Sequence, residues 1–385
     1  MIATLLMASL ITSQTAQPKV RTVLTNGVKV YVESTQQAQR MSVVLAANAA
    51  GLGNTPDTHG WLHLYEHLVV KGKDGTLDHR LEKLGMTLLA TTNRDAMVIE
   101  ISGRPEQFPV AVAALQEIIQ PIAPSEEDIK RETATIDEEI AILGSRSRIA
   151  KASWDAVFGE EALDPYGTVE KIALAKPEDM TEIGKQLFSG KGMSIAVVGD
   201  IQTDVAAARI KEAFSKASAG SAKEVPVRPT QDVKGLRVAP GARGEGRSVV
   251  CEGIDGTTGL ATLGAGIVIA SALSGVEPVF TPSILRGTVT LYSPSKGTLA
   301  QIDTWSAGQR QSLAESIPWY LLAWTKGIRG STSKYASFCA ATALQNPNLT
   351  LDQVEALIRS ITPADTESAM NAFRFEKAVI LEGGS

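Results

Sequence analysis

Four histidines occur in the 385 residues of the chain, and all four fall between His59 and His79. Two of them sit in the run His63-Leu-Tyr-Glu66-His67. On an α-helix, positions i and i+4 stand above one another on one face, with Cβ atoms about 5–6 Å apart. Two imidazoles so placed can share a metal ion. A catalytic zinc takes three protein ligands and leaves its fourth position to water. Glu66 follows His63 by three residues, on the adjoining part of the same face, where a carboxylate can serve that water as a general base without ligating. The order H-x-x-E-H is the inverse of the commoner zinc-peptidase motif. His59 and His79 do not share this spacing and read as ordinary polar residues.

A third ligand is on offer further along, in I-K-R-E-T-A-T-I-D-E-E-I-A-I-L, residues 129–143. Glu132 and Glu139 are two turns apart on a helix and project from one face. Glu138 points about 100° away. A D-E-E run is ordinarily a solvated acidic face, but Ile129, Ile136, Ile140 and Leu143 give this helix an apolar side that must pack on something.

The elements that would hold these groups are legible around them. R-T-V-L-T-N-G-V-K-V-Y-V-E reads as a hairpin, with Asn26 and Gly27 at two positive-φ turn positions. M-S-V-V-L-A-A-N-A-A-G is a strand followed by a polar, Gly-rich loop, and Thr58 to Val70 is a helix. Leu88 to Ser102 suggests a strand with a turn before it. Helices follow from about Pro105 to Ile119 and from Ser125 to Leu143, where Ser125 is an N-cap with Asp128 three residues on. Ser194 to Asp200 is a short buried strand, and Thr203 to Ser218 another helix. The stretch 219–235 is small, polar, Pro-containing and without periodicity, the mark of an interdomain linker.

Beyond that linker the pattern returns in weaker form. A Gly- and Ala-rich helix, 259–275, takes the place of the histidine helix. S-I-L-R-G-T-V-T-L-Y-S stands where R-L-E-K-L-G-M-T-L-L-A stood, and K-A-V-I-L-E-G-G echoes S-I-A-V-V-G-D. This second copy contains no histidine.

The totals exclude some classes of function. A formal charge of −5, with Lys and Arg scattered, lacks the basic stripe of a nucleic-acid binder. Cys251 and Cys339 form no CxxC pair and read as small buried hydrophobes. The first residues are apolar for about eleven positions, too short to span a bilayer, and no later run is long and apolar enough for stable membrane insertion. The leader fits a signal peptide over residues 1–17. That implies export to the periplasm or the extracellular space, with a cytoplasmic location if the segment is not a signal.

H-L-Y-E-H followed by R-E-T-A-T-I-D-E-E-I resembles the pitrilysin/insulinase family of zinc metallopeptidases, which includes the mitochondrial processing peptidase. The likeness extends to T-V-L-T-N-G-V-K-V, D-P-Y-G-T-V-E-K-I-A-L-A-K-P-E-D-M and S-I-A-V-V-G-D-I, and covers residues 20–215 better than the rest. It implies an α+β fold of two related domains, each a mostly antiparallel sheet packed by helices. The zinc-bearing peptidase domain would be 18–218, with 219–235 as linker and 236–385 as a degenerate second domain without metal ligands. It also implies one zinc ion per chain, with His63, His67 and Glu139 as ligands, Glu66 as general base and Glu132 as the carboxylate that supports the site. From His67 to Glu139 is 72 residues, a few fewer than is usual in the family. Where relatives show Asn-Ala on a substrate-facing edge strand, this chain has Leu89-Ala90, and Val70 stands where a Phe is common. Arg286 and Tyr292 resemble an Arg-Tyr pair that contacts substrate from the far domain, one residue closer together than usual.

The activity so implied is zinc-dependent endoproteolysis of unfolded peptides, with the substrate added as a strand to an exposed sheet edge. The partner would be a second copy or a related subunit, as homodimer or heterodimer, closing a chamber. Two rivals stand beside it. One is a non-catalytic peptidase-like subunit that supports an active sibling; the other is a closed structural zinc site, which would want a further Cys or His nearby.

Overall fold

The computed structural model describes residues 19–50, 52–159, 163–221, 230, 235–281 and 283–384. The expected leader and most of the expected linker lie outside the described residues.

A six-stranded sheet organises the first part of the chain. Its strands are β1 (Lys19–Val23), β2 (Lys29–Ser34), β3 (Met41–Asn48), β4 (Thr87–Thr92), β5 (Ala96–Gly103) and β6 (Met193–Gly199), in the order β1-β2-β6-β3-β5-β4. Only β2 and β6 pair in parallel. A five-stranded sheet organises the second part, from β7 (Gly235–Pro240), β8 (Glu245–Cys251), β9 (Glu277–Val279), β10 (Gly287–Ser293) and β11 (Val379–Gly384). Its order is β7-β11-β8-β10-β9, with β7 and β11 parallel. Two related, mostly antiparallel sheets packed by helices are what the sequence implied.

The helices of the first part are α1 (Trp61–Val69), α2 (Leu77–Lys83), α3 (Phe108–Ile118), α4 (Glu126–Ala141), α5 (Ser145–Phe158), α6 (Val169–Ile172), α7 (Pro177–Leu187) and α8 (Thr203–Phe214). Those of the second are α9 (Thr257–Ala272), α10 (Gln301–Thr304), α11 (Ala307–Arg329), α12 (Thr332–Gln345), α13 (Leu351–Arg359) and α14 (Pro363–Ala372). α4 begins as expected: the Asp128 amide donates to Ser125 Oγ at 3.1 Å, and the Ser125 amide donates back to Asp128 Oδ2 at 2.9 Å. Hydrogen bonds from Ser125 hold the Asp128 carboxyl down to about 2.

Three expectations need correction. Gly27 alone is at positive φ, 93°. The connection is a turn over Leu24 to Gly27, closed by Gly27 N–H donating to Leu24 O at 2.8 Å. Asn26 instead turns inward and donates to Phe214 O and Ala217 O at the end of α8, a long-range partner that no local turn rule foresees. Leu88 to Ser102 has the expected turn, at residues 93–95, and strand β5 after it, but the residues before the turn form a further strand, β4, so the stretch is a hairpin. Finally, β10 pairs with both β8 and β9, as β5 pairs with β3 and β4. L-R-G-T-V-T-L-Y-S therefore matches the strand after M-T-L-L-A, one strand further on than the sequence comparison placed it.

One face of the first sheet carries α1, α3, α4, α7 and α8 around Val43, Leu45, Met97, Ile99, Ile195 and Val197. The other face, with Val44, Ala46, Ala196 and Val198, is covered by second-half residues including Tyr335, Ala336, Cys339 and Ala340 of α12. Conversely α5, from the first half, covers the second sheet through Ile149, Val157 and Phe158. Each sheet thus buries one apolar face under a helix from the other half, so the hydrophobic drive that completes either half also joins them. Both cysteines are free, Cys339 buried and Cys251 half-buried.

Candidate metal centre

α1 is a short helix with two unlike faces. Leu62, Leu64, Tyr65, Leu68 and Val69 are buried in the core of the first half. That anchoring leaves His63, Glu66 and His67 to be turned as a set, with α4 packed alongside. On α4, Ile129, Ile136 and Thr133 are buried and Glu132 is buried with them.

The side chains converge. His63 Nε2 and His67 Nε2 each lie 3.5 Å from Glu139 Oε2, and the two imidazole rings stand edge to face with centroids 4.9 Å apart. One ligand-capable atom from each of the three residues can be chosen so that all lie within 4.8 Å of one another. The donor set suits a metal ion. Ligands held tetrahedrally at about 2.0–2.1 Å from zinc are about 3.4 Å from each other, near the separation seen here, whereas an N–H···O hydrogen bond is shorter, at about 2.7–3.2 Å. Two imidazoles and one carboxylate would hold the ion and leave a position open for water or substrate.

The outward ring nitrogens are occupied too. His63 Nδ1 meets Tyr166 O at 3.4 Å, and His67 Nδ1 lies 3.5 Å from Glu132 Oε2. Contacts of this kind select the tautomer and aim the opposite nitrogen at the metal. Arg131 Nε donates to Glu132 Oε1 at 3.2 Å and steadies that carboxylate in turn. Burial pushes the His63 imidazole below its ordinary value, against the pull of Glu66. It is therefore neutral at neutral pH, the form that ligates.

Glu66 is placed differently from the other carboxylates. Its Oε2 is buried and has no hydrogen-bond partner among the described residues, and the residue lines a cavity of about 410 Å³ together with His63, Ala90, Arg94, Tyr166 and Arg286. A buried carboxylate oxygen left unpaired is costly. Glu66 thus brings an unsatisfied carboxylate to the wall of the cavity.

A loop clamps the start of α1. His59, expected to be an ordinary polar residue, is buried, and its Nε2 lies 2.9 Å from Asp164 O. Asp164 Oδ1 accepts from the amides of Tyr166 at 2.9 Å and Gly167 at 3.3 Å. Gly60 and Gly167 meet back to back at φ 91° and 79°, and a Cβ on Gly60 would stand 2.7 Å from Gly167 Cα. This contact brings the Tyr166 carbonyl to His63. Gly167→Ala is expected to cost about 1–2 kcal/mol from its left-handed backbone alone, more with the collision, and to weaken metal binding. Denaturant unfolding together with a metal-competition titration measures both, and an unchanged midpoint would contradict the clamp. D-P-Y-G was visible in the sequence; the contact with H-G, more than a hundred residues earlier, was not.

The expected substrate-binding residues separate. Leu89 and Ala90 lie on β4, at the edge of the first sheet, with Leu89 exposed and Ala90 at the cavity. Arg286 lines the cavity across from them, its Nε donating to Glu252 Oε2 at 2.9 Å. Tyr292 is buried with Ile149, Val157 and Leu381 between the second sheet and α5, so it and Arg286 do not meet at the cavity. Arg286 precedes β10, whose first residues Gly287 and Thr288 also line the cavity, whereas Tyr292 lies near the other end of the strand, under α5. His79 is exposed, beside Glu82.

Two related α+β halves and a His/His/Glu cluster beside a cavity that both halves line define the class: a protein with a peptidase fold and a candidate metal centre. Residues 29–155 match insulinase, peptidase family M16. Among curated relatives, a probable mitochondrial-processing peptidase subunit beta of Arabidopsis thaliana is 26% identical over 208 residues, 51% of this chain and 39% of the relative. The chain covers between 39% and 43% of the length of the first three such relatives. Among solved structures, a protease from Helicobacter pylori superposes with TM-score 0.78 at 14% identity, over 95% of this chain and 99% of that one. A peptidase M16 inactive domain from Pseudomonas fluorescens superposes with TM-score 0.77 at 16% identity, over 96% and 98%.

Proposed function

We propose that the chain is a zinc-dependent endopeptidase acting on unfolded peptides. The observation that carries this reading is Glu66, its buried Oε2 unpartnered among the described residues, lining the cavity beside the converging His63, His67 and Glu139. A zinc ion held by those three residues would polarise the scissile carbonyl and make a water molecule more acidic. Glu66 accepts a proton from the attacking water and returns it to the departing amine nitrogen as the C–N bond breaks. Glu132 and the Tyr166 carbonyl keep the two imidazoles aimed. The edge of β4, with Ala90 at the cavity, receives the substrate backbone as an added strand, and a second copy or a related subunit completes the enclosure.

A second reading has its own support: a non-catalytic subunit that keeps the fold and assists an active sibling. The likeness to a solved structure described as an inactive domain, and to relatives named as subunits, favours it. The comparisons lean toward this second reading and the geometry of the site toward the first. Cleavage of a quenched, unstructured peptide by the zinc-loaded chain, alone and with a homologous subunit, separates them. Chelator-sensitive turnover that the subunit does not itself supply supports the peptidase. A zinc-loaded chain that never cleaves, yet raises the activity of the subunit, supports the helper.

Export belongs to the same proposal, on the strength of the apolar first eleven positions. N-terminal sequencing of the protein from cell fractions tests it: recovery outside the cytoplasm with the leader removed agrees, and an intact leader on cytoplasmic protein does not.

A further inference from the structure

We infer that Tyr166 is a catalytic residue of this site, its phenol hydroxyl donating a hydrogen bond to the carbonyl oxygen of the peptide bond under attack. The inference rests on the peptidase reading above and assigns it one more participant.

Negative charge builds on the carbonyl oxygen as water adds to the carbon, and a donor already in place beside that oxygen lowers the barrier. Tyr166 is held for such a task at both ends. Its amide donates to Asp164 Oδ1 at 2.9 Å, and its carbonyl faces His63 Nδ1 at 3.4 Å. Its ring stands edge to face with the His63 imidazole, centroids 5.7 Å apart and planes 85° from parallel. The ring is therefore fixed against one of the three residues that would hold the metal.

The residue lines the same cavity as Glu66. The carboxylates of Asp164, Glu139 and Glu66 and the guanidinium of Arg94 all act on the phenol electrostatically. Its hydroxyl has no hydrogen-bond partner among the described residues, while its backbone is fully engaged. The tyrosine expected to reach substrate from the far half, Tyr292, is buried under α5. Tyr166 is the phenol that the fold brings to the cavity. In the step proposed, Tyr166 keeps its proton throughout; the proton of the attacking water passes by way of Glu66 to the amine, and the C–N bond breaks.

The test is Tyr166→Phe in the full, zinc-loaded chain, with a homologous subunit present if the parent needs one. Zinc content and melting temperature should match the parent, because the contacts of the backbone and ring are retained. The kcat should fall by roughly 10²–10³-fold, the range for loss of one such donor, with KM little changed. A phosphinic peptide, whose tetrahedral oxygens stand where the charge develops, should bind the variant more weakly by a similar factor, while an uncleaved substrate-like peptide binds as before. Equal kcat and equal phosphinic-peptide affinity in variant and parent would overturn the role of Tyr166 and leave the peptidase reading standing. A zinc-loaded parent that cleaves nothing under any condition would overturn that reading, and this inference with it.

Discussion

Glu66→Gln is expected to bind zinc as the parent does and to hydrolyse peptides slower by roughly 10²–10⁴-fold, the usual contribution of a positioned general base. The amide has the size of the carboxylate and can still accept a hydrogen bond, so the packing of α1 is preserved. What it loses is basicity. Since Glu66 is not among the three residues whose donor atoms converge, removing its charge should leave metal content intact. The measurement is a steady-state assay on a quenched peptide beside elemental analysis of the same preparations. Loss of zinc along with activity would move Glu66 from base to ligand. Full activity in the variant would remove it from the chemistry.

His67→Ala should have the largest effect on the metal itself. The substitution deletes one of the three donors and leaves Glu132, buried at 5% exposure, without the imidazole it faces. A carboxylate stranded in that way is destabilising, the more so because among the described residues only Arg131 remains paired with it. Zinc should then be undetectable after dialysis. The rise in stability that zinc gives the parent, about 4 kcal/mol when its free concentration is 1,000 times its dissociation constant, should disappear. Glu132→Gln is the milder companion: it keeps all three donors and loosens the aim of His67, a change that ordinarily costs about 10- to 100-fold in metal affinity. Differential scanning calorimetry with and without zinc reads both. A His67→Ala chain that zinc still stabilises would place the ion elsewhere.

Much of this was legible in the sequence because it is local. Helix spacing sets His63 above His67, and the two-turn interval sets Glu132 and Glu139 on one face, so each pair follows from α-helical geometry before any fold is known. The Ser125 cap and the β-strand patterns belong to the same short range. That Glu139 and not Glu138 faces the histidines is likewise a matter of phase along α4.

What stayed hidden depends on contacts between distant segments. His59 looked ordinary because its partner, Asp164, comes more than a hundred residues later. Asn26 looked like a turn residue because the α8 carbonyls it binds are farther still. The exchange of α5 and α12 between sheets could not be read from periodicity, which reports that a helix has an apolar face but not which sheet receives it. Arg286 and Tyr292 resemble a substrate-contacting pair, yet α5 covers Tyr292 and leaves Arg286 at the cavity. Sequence spacing predicts neighbours within an element and says little about what lies on top of it.

The central claim is that His63, His67 and Glu139 hold one zinc ion in this chain. Anomalous diffraction at the zinc absorption edge, from crystals of the purified protein, tests it most directly. The account predicts one strong peak per chain at about 2.0–2.1 Å from His63 Nε2, His67 Nε2 and a Glu139 carboxylate oxygen. A peak at any other set of residues, or none in protein saturated with zinc, would contradict it.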